Sequence, residues 1–328
     1  MPATYRALVC TRLSDDLAGL QIAELPRREP GAGEVRVRLR AAAVNFPDLL
    51  MSQGRYQYQP PLPFVPGVEA AGDVEALGPD ARGFALGDPV LIHARTGGYA
   101  QEIVLPATEV RRIPAPLDYA RAAAFQSGAI TAYVSLVRRA RLQAGETLLV
   151  HGATGGVGMA TVRLGRHLGA RVIATGTSDE KLALVQAQGA HHVLNLHGGF
   201  REQVKALTDG RGADVIFDPV GGDVFVESLR CIAWGGRLLV AGFASGRIPD
   251  VPANIPLIKG FSIVGVRAGE YGRRDPAKGA QNIREIDRLA GEGVFDPYIC
   301  ARVPLDDAIG AMRMLVERRV LGKIVIEP

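Results

Sequence analysis

The sequence contains few of the residues that bind metals or form disulfides. Its 328 residues include only three cysteines, Cys10, Cys231 and Cys300, which are odd in number and far apart. No C-x-x-C pair occurs, so spacing supports neither a disulfide framework nor a cysteine-based zinc lobe. This cysteine usage is consistent with a reducing compartment, and we therefore expect a cytoplasmic protein.

Long apolar runs and blocks of one charge are also missing. No stretch approaches the length that crosses a bilayer, and the first ten residues lack the pattern of a signal peptide, so no membrane association is expected. Lys and Arg number 38 against 34 Asp and Glu. The pairs Arg273-Arg274 and Arg318-Arg319 are short and lack interleaved aromatics. A nucleic-acid partner is therefore not expected.

Glycine is abundant, with 40 residues, and one glycine-rich turn stands between two β-branched runs. The order is a strand at Thr147–Val150, a turn at Gly152–Gly158, a helix at Met159–Leu168 and a strand at Val172–Thr175. Strand, glycine turn, helix and strand form the βαβ context of a dinucleotide fingerprint.

The turn itself has the spacing of a pyrophosphate site, with alanine in place of the first glycine of the usual pattern. A Cβ at the closest approach would hold a pyrophosphate away from the N-terminus of the helix, so glycine is needed there. We assign five turn residues to cofactor binding: Ala153, Gly155, Gly156, Val157 and Gly158.

The end of the second strand favours NADPH over NADH. An NAD site usually places an acidic residue about 20 residues after the turn, where it holds the ribose 2′-OH. Gly176 occupies this place, followed by Thr177 and Ser178. The absence of a carboxylate leaves room for a 2′-phosphate, to which Ser178 can donate and Lys181 can supply charge. These four residues are predicted to bind NADPH.

The rest of the chain reads as a β-rich region followed by alternating strands and helices. The segment Glu34–Arg40 alternates strictly, which predicts that Val35, Val37 and Leu39 share one face. From about residue 118 the pattern becomes helical, with helices predicted at Tyr119–Phe125 and Ile130–Arg139. The alternation that follows predicts an α/β fold with a doubly wound parallel sheet.

Ligands of such sheets bind beyond the carboxyl ends of the strands. Two loops should therefore line the cofactor. One is Asp218–Gly222, and the other is Gly242–Gly246, which contains Phe243, Ala244 and Ser245.

Several segments, taken together, resemble one family. They occur in the same order over nearly the whole chain: Asn45-Phe46-Pro47-Asp48, Gly54-Arg55-Tyr56, Pro63–Glu69, Gly87–Val90, the glycine turn, Gly189-Ala190 and Gly322-Lys323. The chain resembles zinc-free members of the medium-chain dehydrogenase/reductase superfamily, close to the NADPH:quinone reductases related to zeta-crystallin.

The resemblance implies a Rossmann-type domain inserted into a β-rich GroES-like catalytic domain. The catalytic domain would comprise residues 1–125 and 266–328, and the dinucleotide-binding domain residues 126–265. The active site would lie in the cleft between them. Family members are commonly oligomers joined through a sheet edge, which predicts a homodimer through Phe261–Val266.

The resemblance also implies that no zinc is bound. Zinc enzymes of this superfamily carry a Cys and a His where this chain has Asn45 and Val68, and neither of these can replace a thiolate or imidazole ligand. The segment Tyr99–Pro114 contains no cysteine, so the structural zinc lobe is missing too.

The implied reaction is hydride transfer from NADPH to a quinone or an α,β-unsaturated carbonyl. The resemblance implies catalytic roles for Tyr56, Asn45 and Asp48. Tyr56 would be the proton donor, and water is the alternative donor. Further cofactor contacts are implied for Phe46, Thr131, Val266, Arg318 and Lys323. Alternatives are an enoyl-thioester reductase of the same fold and an NADPH-binding protein with an RNA- or partner-binding role.

One departure from the family concerns the cofactor. Close quinone reductases have a tyrosine beside the 2′-phosphate where this chain has Leu196, and either Arg318 or Arg319 could assist from the tail. The strength of the NADPH preference is therefore left open.

Overall fold

The computed structural model describes residues 3–328, and the chain divides into two compact units. The first unit ends at Ser127 and is completed by Pro297–Pro328, whereas the second is Gly128–Asp296. Fifteen strands are found among the described residues: β1 (Thr4–Cys10), β2 (Leu20–Pro26), β3 (Glu34–Ala43), β4 (Glu69–Leu77), β5 (Pro89–His93), β6 (Glu102–Pro106), β7 (Val110–Arg112), β8 (Thr147–Val150), β9 (Arg171–Gly176), β10 (His192–Asn195), β11 (Ala213–Asp218), β12 (Ile232–Val240), β13 (Ser262–Gly265), β14 (Ile299–Pro304) and β15 (Lys323–Glu327).

Ten α-helices connect these strands in the described part of the chain: α1 (Phe46–Ser52), α2 (Tyr119–Tyr133), α3 (Gly156–His167), α4 (Asp179–Ala187), α5 (Arg201–Leu207), α6 (Gly222–Ser228), α7 (Asn254–Lys259), α8 (Ala268–Arg274), α9 (Pro276–Gly291) and α10 (Ala308–Val316).

The first unit is built on a mostly antiparallel sheet in the order β14-β15-β3-β4-β5-β7, with β6 also pairing with β3. The alternation predicted for β3 is present. Val35, Val37 and Leu39 are buried in the hydrophobic core of this unit, and Arg38 and Arg40 are exposed. Arg36 departs from the pattern, because it is buried and forms ion pairs with Glu29 and Glu75. The C-terminal strand β15 pairs with β3, so the tail of the chain completes the first sheet.

The second unit contains a six-stranded parallel sheet in the order β10-β9-β8-β11-β12-β13. The order runs outward from β8 in both directions, which places the carboxyl end of β8 at the switch point where doubly wound sheets bind ligands. The predicted Rossmann-type architecture is confirmed.

The second domain boundary differs from the prediction. It falls after Asp296 instead of after residue 265, because α8 and α9 belong to the second unit. Arg138 donates from Nε to Oδ1 of Asn282 on α9 at 2.8 Å. Arg163 of α3 donates to the carbonyl oxygen of Val294 at 2.9 Å. These contacts hold the segment after β13 to the nucleotide-binding unit.

One predicted helix break is not present. The segments Tyr119–Phe125 and Ile130–Arg139 belong to one continuous helix, α2, which continues as a π-helix over Val134–Ala140. Gly128 does not interrupt it, because this glycine serves packing: a Cβ there would lie 3.2 Å from the carbonyl oxygen of Gly156. The close contact between α2 and the start of α3 therefore explains why residue 128 is a glycine within a helix.

Candidate functional site

The glycine turn after β8 leads directly into α3, as a pyrophosphate site requires. Gly152 has a φ of +59°, which favours glycine. Ala153 is fully buried, and its N–H donates to the carbonyl oxygen of Thr175 at 3.2 Å. Gly155 is the N-cap of α3 and has extended backbone angles. The turn is thereby fixed to β9, and the first N–H groups of α3 are positioned for an anion.

The glycines of this turn have two different roles. A Cβ on Gly158 would lie 2.2 Å from the carbonyl oxygen of Gly152, so glycine is needed there for the fold itself. A Cβ on Gly155 would meet only that same oxygen, at 3.6 Å, which is ordinary contact. The protein thus leaves open the place where the fingerprint requires close approach to a phosphate. This space fits a dinucleotide.

Two further loops adjoin the turn at the same end of the sheet. A Cβ on Gly152 would lie 3.2 Å from Cγ of Pro219, so the first loop touches the turn. Ala244 N–H donates to the carbonyl oxygen of Pro219 at 3.0 Å, and Ser245 N–H to that of Val220 at 2.9 Å. The predicted loops, with the partly exposed Phe243, therefore form one continuous surface.

Val266 follows β13 at this end of the sheet, where its N–H donates to the carbonyl oxygen of Val240 at 2.9 Å. Val266, which the sequence predicts to contact the cofactor, thus lies just after the carboxyl end of the edge strand β13. Thr131 lies on α2, half-buried, and its carbonyl oxygen accepts the hydroxyl of Ser135 at 2.6 Å.

Asp218 organises the first loop, a role that the sequence pattern alone did not assign. Its Oδ1 accepts the N–H groups of Val220 at 2.7 Å and Gly221 at 2.9 Å. Its Oδ2 is buried and has no hydrogen-bond partner among residues 3–328, and burial raises the pKa of this carboxyl. An Asp three residues before a Gly-Gly pair is the sequence signal of such a turn.

The end of β9 is tightly packed around Gly176. A Cβ on Gly176 would lie 3.1 Å from both Cδ2 of Leu182 and Cγ2 of Thr154. Ser178 is the N-cap of α4, and its hydroxyl oxygen accepts the N–H of Lys181 at 3.4 Å. That bond does not use the hydroxyl proton of Ser178. Thr177 accepts His197 Nε2 through its carbonyl oxygen at 3.2 Å.

His151 links three elements beneath the glycine turn. Its Nε2 lies 2.8 Å from Oγ of Ser228, and its Nδ1 lies 2.8 Å from Oγ1 of Thr175. Ser228 donates its proton to the carbonyl oxygen of Val224, so His151 donates from Nε2 and accepts at Nδ1. The ring is fully buried, and burial lowers its pKa to about 3. A neutral imidazole therefore supports the end of β8.

The first unit contains a second polar site, around Asp48. Asp48 is fully buried at the start of α1. Its Oδ2 accepts the N–H of Asn45 at 3.0 Å and the hydroxyl of Tyr99 at 2.6 Å, and its Oδ1 accepts the N–H of Gly67 at 3.1 Å. Burial raises the pKa of Asp48 to about 7, and these donors oppose the rise. Asp48 therefore ties α1, the turn before β4 and Tyr99 together.

Asn45, Glu69 and Lys323 form a network beside Asp48. Lys323 Nζ donates to Oδ1 of Asn45 and to Oε1 of Glu69, both at 2.6 Å. Asn45 donates from Nδ2 to Oε1 of Glu69 at 2.9 Å and to the carbonyl oxygen of Ala43 at 3.0 Å. The sequence did not assign a role to Glu69; a glutamate directly before a run of small apolar residues was the only signal.

The remaining predicted residues do not join this network. Tyr56 lies in the loop after α1, packs against the core of the first unit, and accepts Gln59 Nε2 through its carbonyl oxygen at 2.8 Å. Phe46 begins α1 with its ring 39% exposed. Arg318 is exposed after α10 with a φ of +55°. The roles assigned to these three residues stay predictions.

Comparison with known families agrees with both units. Residues 31–115 match the family described as alcohol dehydrogenase GroES-like domain, and residues 156–285 match zinc-binding dehydrogenase. A quinone oxidoreductase-like protein 2 homolog from Nematostella vectensis is 39% identical over 327 residues, covering 98% of this chain and 89% of that protein. The quinone oxidoreductase-like protein 2 of Mus musculus is 36% identical, covering 98% and 92%.

Solved structures agree in fold as well. A probable oxidoreductase from Mycobacterium abscessus is 34% identical, covers 100% of both chains and has a TM-score of 0.89. A mycobacterial protein in complex with NADPH is 30% identical, covers 99% of this chain and 100% of its own, and has a TM-score of 0.90. With the fold, the dinucleotide turn and these relatives together, the chain belongs to the medium-chain dehydrogenase/reductase superfamily, as an NAD(P)-dependent oxidoreductase of its quinone oxidoreductase-like branch.

Proposed function

We propose that this chain is an NADPH-dependent, zinc-independent reductase that transfers hydride to a quinone or an α,β-unsaturated carbonyl. The observation that carries the proposal is the nucleotide site of the second unit. The turn leaves space at Gly155 for a pyrophosphate, and the adjoining end of β9 has no acidic side chain to hold a ribose 2′-OH.

The choice of NADPH is supported by what surrounds the end of β9. An acidic residue at Gly176 would crowd Leu182 and Thr154, so these side chains would have to shift to admit the NAD pattern. Ser178 retains a hydroxyl proton for an acceptor, and the cationic Lys181 follows on the first turn of α4. The solved relative that contains NADPH is consistent with this choice.

When bound, NADPH supplies the hydride, and the chain supplies binding, orientation and polar groups. In the second unit, the turn and α3 would hold the pyrophosphate, and the loop residues Phe243, Ala244 and Ser245 would line the nucleotide. In the first unit, Tyr56 remains the candidate proton donor, with water as its rival.

Zinc independence is supported by the side chains at the two positions that ligate zinc in the alcohol dehydrogenases. Asn45 is committed to Lys323 and Glu69, and Val68 is apolar. No group of three or more His, Cys, Asp or Glu residues within 3–328 could hold a metal ion. The ammonium of Lys323 is ion-paired with Glu69 in the same network, and its positive charge would repel a metal cation there.

The test is oxidation of NADPH and of NADH with a panel of acceptors. The panel contains a naphthoquinone, an ortho-quinone, an alkenone and a crotonyl thioester. We expect turnover of quinones or of the alkenone, with NADPH preferred. Turnover of none of the four by protein that binds NADPH tightly would contradict the proposed reaction.

Reduction of an enoyl thioester is the second candidate. It is favoured by a mycocerosic acid synthase-like polyketide synthase from Mycobacterium tuberculosis, which is 31% identical over 326 residues. This chain covers 15% of that protein. Turnover of the crotonyl thioester alone would favour this candidate over the first.

We also propose that the protein is a homodimer joined through β13. This strand is the edge of the parallel sheet, and Ile263 on it is 38% exposed. Large apolar side chains are exposed close by in the chain: Trp234 is 80% exposed, Leu257 80% and Ile258 70%. The Trp234 ring lies over Gly260, two residues before β13. An unpaired strand edge with exposed apolar side chains suits a second copy of the same strand.

The dimer is tested by Ile263→Arg, which we expect to yield a monomer in sedimentation. Leu86→Arg is the matched control, since Leu86 is 67% exposed in the first unit. A wild-type protein that sediments as a monomer, or a dimer unaffected by Ile263→Arg, would contradict this interface.

A cytoplasmic location is proposed from cysteine usage. Cys10, Cys231 and Cys300 are all unpaired thiols. Within residues 3–328, no helix combines the length and apolar character needed to span a membrane. Recovery of the protein in a membrane or secreted fraction would contradict this location.

A further inference from the structure

We propose that Lys323 is the group that stabilises the oxyanion of the acceptor during reduction. This inference rests on the proposed reductase function and adds a catalytic residue to it. The geometry points to the ammonium of Lys323 as the hydrogen-bond donor to this oxyanion, a role for which zinc enzymes of the superfamily have a metal ion.

The first step is a count of polar hydrogens in the buried network of the first unit. Asn45 uses both Nδ2 hydrogens, on Glu69 and on Ala43, and its Oδ1 accepts from Lys323. Asn45 therefore has no hydrogen left for a substrate. Asp48 accepts three hydrogen bonds, one of them from Tyr99, and Tyr99 spends its hydroxyl proton there.

Lys323 is different because an ammonium has three N–H groups. Two of them are used, on Asn45 and Glu69 at 2.6 Å each. Within the described chain, no third acceptor lies within hydrogen-bond distance of its Nζ. One N–H of a cation is therefore available at a fixed position.

The burial of the network differs between its two ends. Glu69 and Asp48 are 0% exposed, whereas Asn45 retains 7% and Lys323 retains 6% of its surface. The Asn45–Lys323 end thus reaches the surface of the network. The N–H of Ser127 donates to Oε2 of Glu69 at 2.7 Å. This bond fixes the carboxylate that holds the ammonium of Lys323.

The chemistry follows from the charge that develops in the acceptor. Hydride addition to the electrophilic carbon breaks its π bond, and the electron pair moves through the conjugated system to the carbonyl oxygen. The third N–H of Lys323 donates to this oxyanion, and the reduced acceptor then takes one proton from Tyr56 or from water. The sum is acceptor plus NADPH plus one proton, giving reduced acceptor and NADP⁺. The positioned cationic donor lowers the free energy of the charged state.

Lys323→Met removes the donor but leaves Glu69 charged and buried, which risks loss of folding. The double variant Lys323→Met/Glu69→Gln removes that charge as well. For folded variants we expect kcat with the naphthoquinone to fall about 100- to 1,000-fold, as for loss of an oxyanion donor. The Kd for NADPH should change less than about twofold, and Lys323→Arg should restore part of kcat. Lys278→Met, on the exposed face of α9, is the control and should retain full turnover.

A second measurement does not depend on turnover. Binding to wild-type protein should lower the apparent pKa of 4-nitrophenol, seen in the absorbance of the phenolate, because a cationic N–H favours the oxyanion. Folded Lys323→Met variants should lose this shift.

Three results would overturn the proposal. One is full turnover by a folded Lys323→Met/Glu69→Gln protein. Another is a large rise in the Kd for NADPH with kcat unchanged at saturation, which would assign Lys323 to the cofactor. The third is wild-type protein that binds 4-nitrophenol without a pKa shift. A protein that shifts the pKa of 4-nitrophenol but reduces no acceptor would support the oxyanion site and contradict the proposed reaction, so the two failures are distinguishable.

Discussion

Lys323 Nζ lies 2.6 Å from Oδ1 of Asn45, although 278 residues separate them in the chain. The contact exists because β15 pairs with β3 and so returns the C-terminal strand to the segment that ends at Asn45. Both side chains are more than nine-tenths buried, and Glu69 completes the network. The Asn45 side chain is therefore held by three hydrogen bonds to its neighbours.

Asn45→Ala should reduce stability more than it reduces nucleotide binding. The change removes three side-chain hydrogen bonds and leaves the buried Lys323 and Glu69 less satisfied. We expect the free energy of unfolding in urea to fall by about 1 to 3 kcal/mol. The NADPH Kd, measured on the same preparation, should stay within about twofold. Unchanged stability with lost NADPH affinity would show that Asn45 serves the cofactor directly.

Gly155→Ala and Gly158→Ala should separate the two roles of glycine in the turn. A Cβ on Gly155 fits the protein at 3.6 Å from the nearest atom, so stability should change little while NADPH affinity falls at least about tenfold. A Cβ on Gly158 would lie 2.2 Å from the carbonyl oxygen of Gly152, so that variant should lose about 1 to 3 kcal/mol of stability as well.

Paired urea unfolding and NADPH titration measure both effects on both variants. Equal NADPH affinity of Gly155→Ala and wild-type protein would mean that no phosphate approaches the turn at this residue.

Lys181→Ala should weaken NADPH binding and leave NADH binding nearly unchanged. The loss of one charge-assisted contact to the 2′-phosphate corresponds to roughly tenfold in Kd. Lys205→Ala, on α5 of the same unit, is the control and should leave both affinities unchanged. Equal losses for NADPH and NADH with Lys181→Ala would contradict the phosphate assignment.

His151 should make the protein less stable in acid. Burial lowers its pKa to about 3 from an ordinary 6.5, so the unfolded chain binds a proton that the folded protein excludes. The stabilising contribution is fully present above pH 6.5 and is lost as the pH falls towards 3, at about 1.4 kcal/mol per pH unit.

His151→Gln should flatten that pH dependence, as measured by urea unfolding at a series of pH values. The exposed His167→Gln should retain the wild-type slope. Identical slopes for His151→Gln and wild-type protein would show that His151 is not the acid-sensitive group.

The local sequence pattern predicted much of the fold, because strand periodicity and helix capping depend on residues that are close together in the chain. The strand predicted at Thr147–Val150 has the same bounds in the structure. The alternation in β3 buries Val35, Val37 and Leu39 as predicted, and Ser178 caps α4. These features are set by periodicity and by capping, which a short window of sequence contains.

What the sequence did not predict depends on contacts between distant segments. Gly128 reads as a helix break, and only its contact with Gly156 explains why the helix continues. Lys323 was assigned to the cofactor, but its partners Asn45 and Glu69 lie more than 250 residues away. No local pattern indicates that β15 will deliver an ammonium to that place.

The most direct test of the proposed function is NADPH oxidation with a naphthoquinone by protein that has been treated with a strong chelator and then freed of it. The network of Asn45, Glu69 and Lys323 predicts full turnover, unaffected by added zinc. Loss of turnover after chelation, restored by zinc, would contradict the metal-free reductase proposed for this chain.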